Sequence, residues 1–441
     1  MMLWFKGKHG GSHPKENKDR TRGLAIEQAS VPDELVYPVS MHIGAPAKPV
    51  VEVGSRVKIG TVLAEAGGKV SAPVHASVSG EVIEIGKRLT LNGPADCIVV
   101  RNDRKDEMEE HAPQPGKVWK AEEILEAVRQ AGIVGMGGAT FPTAVKLEPP
   151  PGSVVDTLII NGAECEPYST SDHRVMLEYT DEIVSGIHVC RTLFPRLKQV
   201  YIAIEDNKPD AIEKMGKAVS AYGDISVQPL RAMYPRGSEK NLIRDLTGRE
   251  VSPGALPADV RCVLLNVSTT RAIHRAVTFG EPVYQRVVSV SGTPVAKPRN
   301  LLVRIGTPVA SLLEDCGGFT GEVGKLLAGG PMMGKTLSDG IIPITKGTTA
   351  ITALTPEEAR VGETTDCIMC SECLNVCPVD LQPILISEAY ERGDIDKSKE
   401  LGAMDCIECG NCTYICPARI PLLDNIRSAK AAIKAKQEKV G

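Results

Sequence analysis

From Met41 to about Val100 the chain sets short runs of Val and Ile between glycines and prolines: Val50-Val51-Glu52-Val53-Gly54, Val57-Lys58-Ile59-Gly60, Val62-Leu63-Ala64 and Val78-Ser79-Gly80-Glu81-Val82-Ile83-Glu84-Ile85. Runs this short, punctuated by turn residues, predict strands of about four to six residues in a small β-sandwich. A charged, Pro-containing stretch follows, 103–117, and Arg104-Lys105-Asp106-Glu107-Met108-Glu109-Glu110 within it reads as a solvated linker. At Ala121–Ala131 apolar residues recur at helical spacing and stop at Gly132, where a helix end is expected. Asp156–Ile160, Gln199–Ile204 and Arg261–Leu265 are near-continuous apolar runs between helical stretches, the pattern of strands buried on both faces of an α/β sheet. Strands return from Val287 to about Ala353, with a helix over Val309–Cys316 closed by Gly317-Gly318. Residues 1–30 show no period that would bury a face and predict an arm laid over the surface; Arg427–Lys439 predicts a solvated, basic helix face.

Composition narrows the class. The 441 residues suggest about three domains. With 42 Gly and 31 Pro, turn-rich β modules are favoured over a helical bundle. Lys+Arg at 51 against Asp+Glu at 55 gives a net charge of -4, which provides no field to draw in nucleic acid. No stretch approaches the roughly 18 consecutive apolar residues of a membrane span, and Met1–Ser12 lacks the apolar run of a signal peptide, so a soluble or peripheral protein is expected. Of the 13 cysteines, eight lie between Cys367 and Cys416 in a metal-binding rhythm, which points to a reducing compartment.

That rhythm is one motif written twice. Cys367-x-x-Cys370-x-x-Cys373-x-x-x-Cys377-Pro378 recurs as Cys406-x-x-Cys409-x-x-Cys412-x-x-x-Cys416-Pro417, each cysteine offset by 39. Two residues between ligands let three thiolates wrap one cubane, and the fourth Cys, before Pro, serves the other cluster in two-cluster ferredoxins. The expectation is one [4Fe-4S] on Cys367, Cys370, Cys373 and Cys416 and a second on Cys406, Cys409, Cys412 and Cys377. Zinc, which usually takes two well-separated Cys pairs, fits this spacing poorly.

A second candidate site begins at Gly132-Ile133-Val134-Gly135-Met136-Gly137-Gly138-Ala139-Thr140-Phe141-Pro142-Thr143-Ala144-Val145-Lys146. Glycines here let a backbone approach a phosphate or flat ring, although the run misses the dinucleotide fingerprint and as a bare loop reads equally as a structural turn. Lys146 supplies a nearby cation. Asn161-Gly162-Ala163-Glu164-Cys165-Glu166-Pro167-Tyr168 follows a buried strand, at the strand end where α/β sheets bind ligands.

Here a resemblance becomes specific. Val53–Gly60 and Ala72–Gly80 resemble the biotinyl/lipoyl-type hybrid barrel, with Lys69 lacking the flanking residues of a modification site, so the barrel reads as scaffold. The glycine loop, Asn161–Pro167, Tyr234–Glu239, Asn266-Val267, the β-grasp unit and the cysteines resemble the FMN- and NADH-binding flavoprotein subunit of respiratory complex I. With Gly10–Pro14, the barrel and Gly329-Gly330-Pro331-Met332-Met333-Gly334, about residues 5–425 resemble the C-subunit family of Rnf-type ion-translocating ferredoxin:NAD oxidoreductases.

The resemblance implies noncovalent FMN near Gly135, Gly137, Gly138, Lys146, Asn161, Glu164 and Asn266. It sets Glu166, Tyr234 and Glu239 on the nicotinamide side, with Phe141 as a stacking platform. Met136, Ala163 and Ser238 depart from the complex I subunit, which has Arg, Asp and Glu there. The implied fold is multidomain α/β plus β: an arm (1–30), a barrel-sandwich hybrid (31–102), a Rossmann-like FMN/NADH domain (118–286), a soluble ligand-binding β-grasp module (287–353), a helical ferredoxin-like domain with two [4Fe-4S] clusters (354–425) and a basic tail (426–441). The implied function is electron input, passing electrons between NAD(H), FMN and the clusters. The implied partners are the membrane subunits and electron-carrying iron-sulfur/flavin subunits of an Rnf-type complex, at the cytoplasmic side of the cell membrane, with no nucleic acid. Two alternatives stay open: a non-catalytic electron-transfer adaptor without flavin, and a subunit of a soluble NAD-linked hydrogenase or formate dehydrogenase.

Overall fold

The computed structural model describes residues 10–110, 114 and 116–438; the first nine residues of the arm and the last three of the tail lie outside them. The N-terminal sandwich faces an antiparallel sheet (Glu34–Pro38, Gly93–Asn102, Gly80–Thr90 and Arg56–Val57, in that order) against a smaller one (Lys48–Pro49, Val62–Glu65, Val74–His75). Leu35, Tyr37, Leu63, Val74, Val82, Ile98 and Val100 fill the space between them. Two strands exceed the expected four to six residues: Gly80–Thr90 has 11 and Gly93–Asn102 has 10. Glu84 and Arg88 on one face of this hairpin and Lys87 on the other stay partly or fully exposed, so charge along the run does not end the strand. Its tip leaves the sandwich, and Leu89 and Leu91 pack on the core of the β-grasp unit. The expected linker is also engaged, since Ile59 and Glu107, then Glu109 and Ile59, exchange backbone hydrogen bonds of 2.8 and 2.9 Å.

The α/β domain is built on four parallel strands, β1 (Thr157–Gly162), β2 (Gln199–Glu205), β3 (Ile225–Leu230) and β4 (Cys262–Asn266), in the order β3-β2-β1-β4. Alternate residues serve opposite faces. Leu158, Ile160, Ile202, Val263 and Leu265 meet the Ala121–Gln130, Thr180–Leu193 and Val267–Phe279 helices. Ile159, Ala203 and Leu264 meet Leu242 and Ile243 of the Glu239–Thr247 helix. Burial on both faces is why these strands are apolar throughout. The helix expected over 121–131 spans Ala121–Gln130, and Gly132 beyond it takes a φ of +64.

A six-stranded mixed sheet carries the β-grasp unit, with the Val309–Asp315 helix over it. Its edge strand, Ile26–Gln28, pairs in parallel with Asn300–Leu302. The described residues of the arm, 10–30, are therefore not simply laid over the surface: they supply a strand, and Ser12 and Lys18 are each only 5% exposed. The basic tail needs the same correction. Its described residues continue one helix, Leu422–Glu438, whose Ile426, Ala429 and Ile433 enter the core of the cysteine-rich domain at helical spacing.

Candidate functional site

Strand order 3-2-1-4 reverses direction between β1 and β4, and in such sheets ligands bind outside the strand C-termini at that reversal. Asn161, next to last in β1, and Asn266, last in β4, are register partners. Asn266 caps the Val267–Phe279 helix, its Oδ1 accepting from Ser268 N at 2.9 Å, while its Nδ2 donates to Asp172 Oδ2 at 2.6 Å. Asn161 donates through Nδ2 to Gly237 O at 2.9 Å. The crevice is thus lined by amides whose orientation is fixed from behind.

The glycine loop lies across this crevice. Gly135 N donates to Phe141 O at 2.8 Å and Thr140 N to Gly135 O at 3.0 Å, which closes the turn. A Cβ on Gly137 would stand 3.3 Å from the Asn266 amide; Gly138, at φ +110, has open space where a Cβ would point. Only glycine leaves that backbone bare at such a φ, and the result is a cradle able to receive a phosphate or ring. Two cations hold the loop from below. Arg286, 1% exposed, donates to Met136 O at 3.1 Å, and Lys346, also 1% exposed, donates to Gly132 O and Pro73 O, each at 2.7 Å. Burial drives Lys346 down to about 7. Met136 packs into the core, so the position at which the complex I subunit has Arg points inward here.

Lys146 donates to Glu239 Oε1 at 2.8 Å and to Leu264 O at 3.2 Å. Both side chains are about a third exposed, so the pair contributes less than about 1 kcal/mol and its cation stays available to a stronger anion. Phe141 is half-buried, between the loop and the Thr143–Leu147 helix that carries Lys146.

The acidic residues divide. Glu239 alone faces Lys146. Glu164, at φ +49, accepts from Asp172 N at 2.7 Å, His173 N at 3.2 Å and Ser169 Oγ at 3.2 Å, and so closes the start of the Ser171–Glu178 helix. Glu166 accepts from Met332 N and Met333 N at 2.7 and 3.2 Å, clamping Gly329–Gly334 of the β-grasp unit, and burial lifts its carboxyl above the ordinary range. Tyr234 is 2% exposed and its hydroxyl donates to Cys409 O at 2.7 Å. Its ring lies in the seam with the cysteine-rich domain, and its backbone pairs with Ser12 of the arm.

Sequence reasoning missed Asp172, Arg286, Lys346 and Lys18. Asp172 is raised to about 6 by burial first and then by the Glu164 charge. Lys18 donates to Glu164 O, Glu166 O and Ser169 O at 2.7, 3.0 and 2.7 Å, so the arm straps the loop that follows β1. None has a local signal, since each is defined by partners far away in the chain.

The eight cysteines fall into two groups. Cys367, Cys370, Cys373 and Cys416 line one cavity of about 340 Å³. The thiol of Cys373 is raised by burial and, among its charged neighbours, by Cys416, Cys367 and Cys370. In the second group burial raises Cys412, to about 12, with Cys406, Cys409 and Cys377 as the charges around it. Among the described residues no three potential ligands converge on a single-ion site. Four thiolates around a cavity, each fourth member borrowed from the other motif, instead suit a cubane, whose ligands bind separate corners.

The comparisons with known proteins follow this division. Residues 6–105 match the RnfC barrel sandwich hybrid domain, 128–275 the Nuo51 FMN-binding domain, 287–336 the SLBB domain and 360–417 a 4Fe-4S dicluster domain. The chain is 45% identical to the C subunit of the proton-translocating ferredoxin:NAD(+) oxidoreductase complex of Clostridium ljungdahlii, over 90% of this chain and 87% of that one. It is 42% identical to the Na(+)-translocating counterpart of Acetobacterium woodii, over 98% of both chains. With the C subunit of the ion-translocating oxidoreductase complex of Rhodobacter capsulatus it shares 43% identity over 98% of this chain and 84% of that one.

Proposed function

The chain belongs to the C-subunit family of ion-translocating ferredoxin:NAD(+) oxidoreductase complexes, and from that premise we propose how its residues serve electron transfer. It is an electron-transfer subunit with FMN- and 4Fe-4S-binding domains, acting with NAD(H) and with the other subunits of the complex. FMN, when bound, exchanges a hydride with the nicotinamide as two electrons and a proton, and returns the electrons singly to iron-sulfur acceptors.

The residues divide the work. The bare backbone of Gly135, Gly137 and Gly138 cradles the flavin nucleotide, Asn161 and Asn266 offer amides at the strand ends, and Lys146 neutralises negative charge. Glu239 recognises the ribose hydroxyls of NADH, and a 2′-phosphate would meet repulsion there. Phe141 offers a stacking face. Glu164 and Glu166 act at one remove, by shaping the loop after β1. Each cysteine group holds one [4Fe-4S]. The observation that carries this reading is the pairing of Asn161 with Asn266 under the glycine loop, at the reversal point of the sheet.

No helix among the described residues is long and apolar enough to cross a membrane. The chain is part of a membrane-associated complex, and we place it peripherally, on the cytoplasmic side.

The test is anaerobic purification with flavin and metal analysis, followed by NADH oxidation with ferricyanide. FMN, about eight irons and NADH-dependent bleaching are expected. Lys146→Ala should lose FMN, whereas Glu239→Ala should keep it and weaken NADH use. An FMN-replete protein that NADH does not bleach would favour an electron-transfer adaptor.

A further inference from the structure

The seam between the crevice and the cysteine-rich domain is held by a closed set of hydrogen bonds. Ser12 and Tyr234 exchange backbone bonds of 2.8 and 2.9 Å. The Tyr234 hydroxyl donates to Cys409 O at 2.7 Å. Asn411 completes the set: its Nδ2 donates to Tyr234 O and Val376 O at 3.1 and 3.3 Å, and its Oδ1 accepts from Ser12 Oγ at 2.6 Å. Ser12, Tyr234 and Asn411 are 5, 2 and 1% exposed.

What these groups grip matters. Cys409 belongs to the second cysteine group, Val376 precedes Cys377 of the same group, and a Cβ on Gly10 would collide with the Cys377 carbonyl. At the other end, Tyr234 is three residues from Gly237, which accepts from Asn161, and five from Glu239, which pairs with Lys146. A bonded and hydrogen-bonded path therefore runs from the crevice to the backbone of a cluster ligand.

We propose that Ser12, Tyr234 and Asn411 are positioning residues that fix the ligand loop of the Cys377/Cys406/Cys409/Cys412 cluster against the flavin crevice, which makes this cluster the flavin-facing one. The proposal rests on the function given above. Tunnelling falls off exponentially with distance, so a clasp that holds two redox sites at one separation sets their exchange rate. A sealed clasp also keeps water from the ligand loop, and solvent access with hydrogen bonding sets cluster potential. A purely structural contact would change stability and leave the potential of one chosen cluster alone.

The experiment uses the full chain loaded with flavin and both clusters, and compares Ser12→Ala, Tyr234→Phe and Asn411→Leu with the parent. Potentiometric EPR reads each cluster's midpoint, iron analysis reads occupancy, and rapid mixing with NADH follows the flavin and cluster bands separately. In Ser12→Ala and Asn411→Leu, flavin bleaching should keep the parental rate, the midpoint of the flavin-facing cluster should shift with the other unmoved, and the later cluster phase should slow about tenfold, as misplacement of reacting centres does. Should Asn411→Leu fail to hold its clusters, Ser12→Ala, which removes one hydroxyl, carries the test. Unmoved midpoints with a parental cluster phase would overturn the proposal, as would a shift confined to the cluster that Cys416→Ala removes. A Tyr234→Phe protein slowed in the bleaching step would also overturn it, because the ring would then belong to the nucleotide site. If NADH fails to bleach the parent, the functional reading falls, while the midpoint comparison still decides the clasp.

Discussion

The two cysteine motifs share every ligand spacing and sit in opposite surroundings. In the first, Cys367 and Cys370 are exposed, and Ile368 and Met369 between them are 66 and 88% exposed. In the second, Cys409 and Cys412 are 7 and 8% exposed. The backbone is nearly unchanged, since Met369 and its counterpart Glu408 both have φ +57. Their chemistry differs: Met369 faces solvent, whereas Glu408 accepts from Arg427 at 3.0 Å and Lys430 at 2.6 Å. Asn411 of the clasp has as its counterpart the exposed Glu372. Ligand spacing therefore specifies that a cubane is bound, and the residues between the ligands specify what lies around it. One loop is sealed against the arm and Tyr234 of the α/β domain. The other presents an apolar, solvent-facing surface of the kind that marks a partner contact.

The comparison breaks most visibly if the fourth ligands are removed. Cys377→Ala should destroy the sealed cluster and Cys416→Ala the exposed one, each taking iron from about eight to about four per chain, as read by iron analysis and EPR. If both variants lose the same signal, the two groups are wrongly drawn. A smaller effect is expected from Met369→Glu, which places a charge in the exposed apolar loop. Both clusters should be retained and affinity for the rest of the complex should fall about tenfold, or ~1.4 kcal/mol, by co-purification or interferometry; undiminished assembly would show that partners dock elsewhere. The smallest concerns the sealed loop. Arg427→Ala leaves Glu408 its bond to Lys430, so thermal unfolding should show a loss of no more than about 1 kcal/mol, and a collapse of the whole domain would mean that the ion pair carries far more than its exposure suggests.

Legibility followed the range of the interactions. The cysteine groups were readable because ligand spacing is local and the motif repeats. The crevice was partly readable: the apolar runs gave β1, β2 and β4, but the reversal between β1 and β4 depends on strand order, which is set by pairing of distant segments, and β3 left little signal because of its Pro229. The structure sets β3 at the sheet edge, where a proline can forgo its ladder bond. The arm and the buried cations were opaque, since Lys18 in a polar stretch looks like any solvated lysine until Glu164, Glu166 and Ser169 turn their carbonyls toward it. The contact of Tyr234 was opaque for the same reason, because its partner Cys409 lies 175 positions away.

That long reach has a consequence for biosynthesis. Ser12 and Asn411 are 399 positions apart, so the arm leaves the ribosome well before the surface it must join has been translated. Domains tend to fold in order of synthesis, and a metal-bound module gains its structure only with its metal. The arm's contact with Asn411 can therefore close only once the distal, cysteine-rich part of the chain has been made and has folded, whereas its bonds to the loop after β1 and to Asn300–Leu302 need no cluster. Loop closure over that span costs entropy, and only completed contacts at both ends offset it. Closure of the Ser12–Asn411 contact is thus a late event in maturation, tied to folding of the cysteine-rich domain around its clusters.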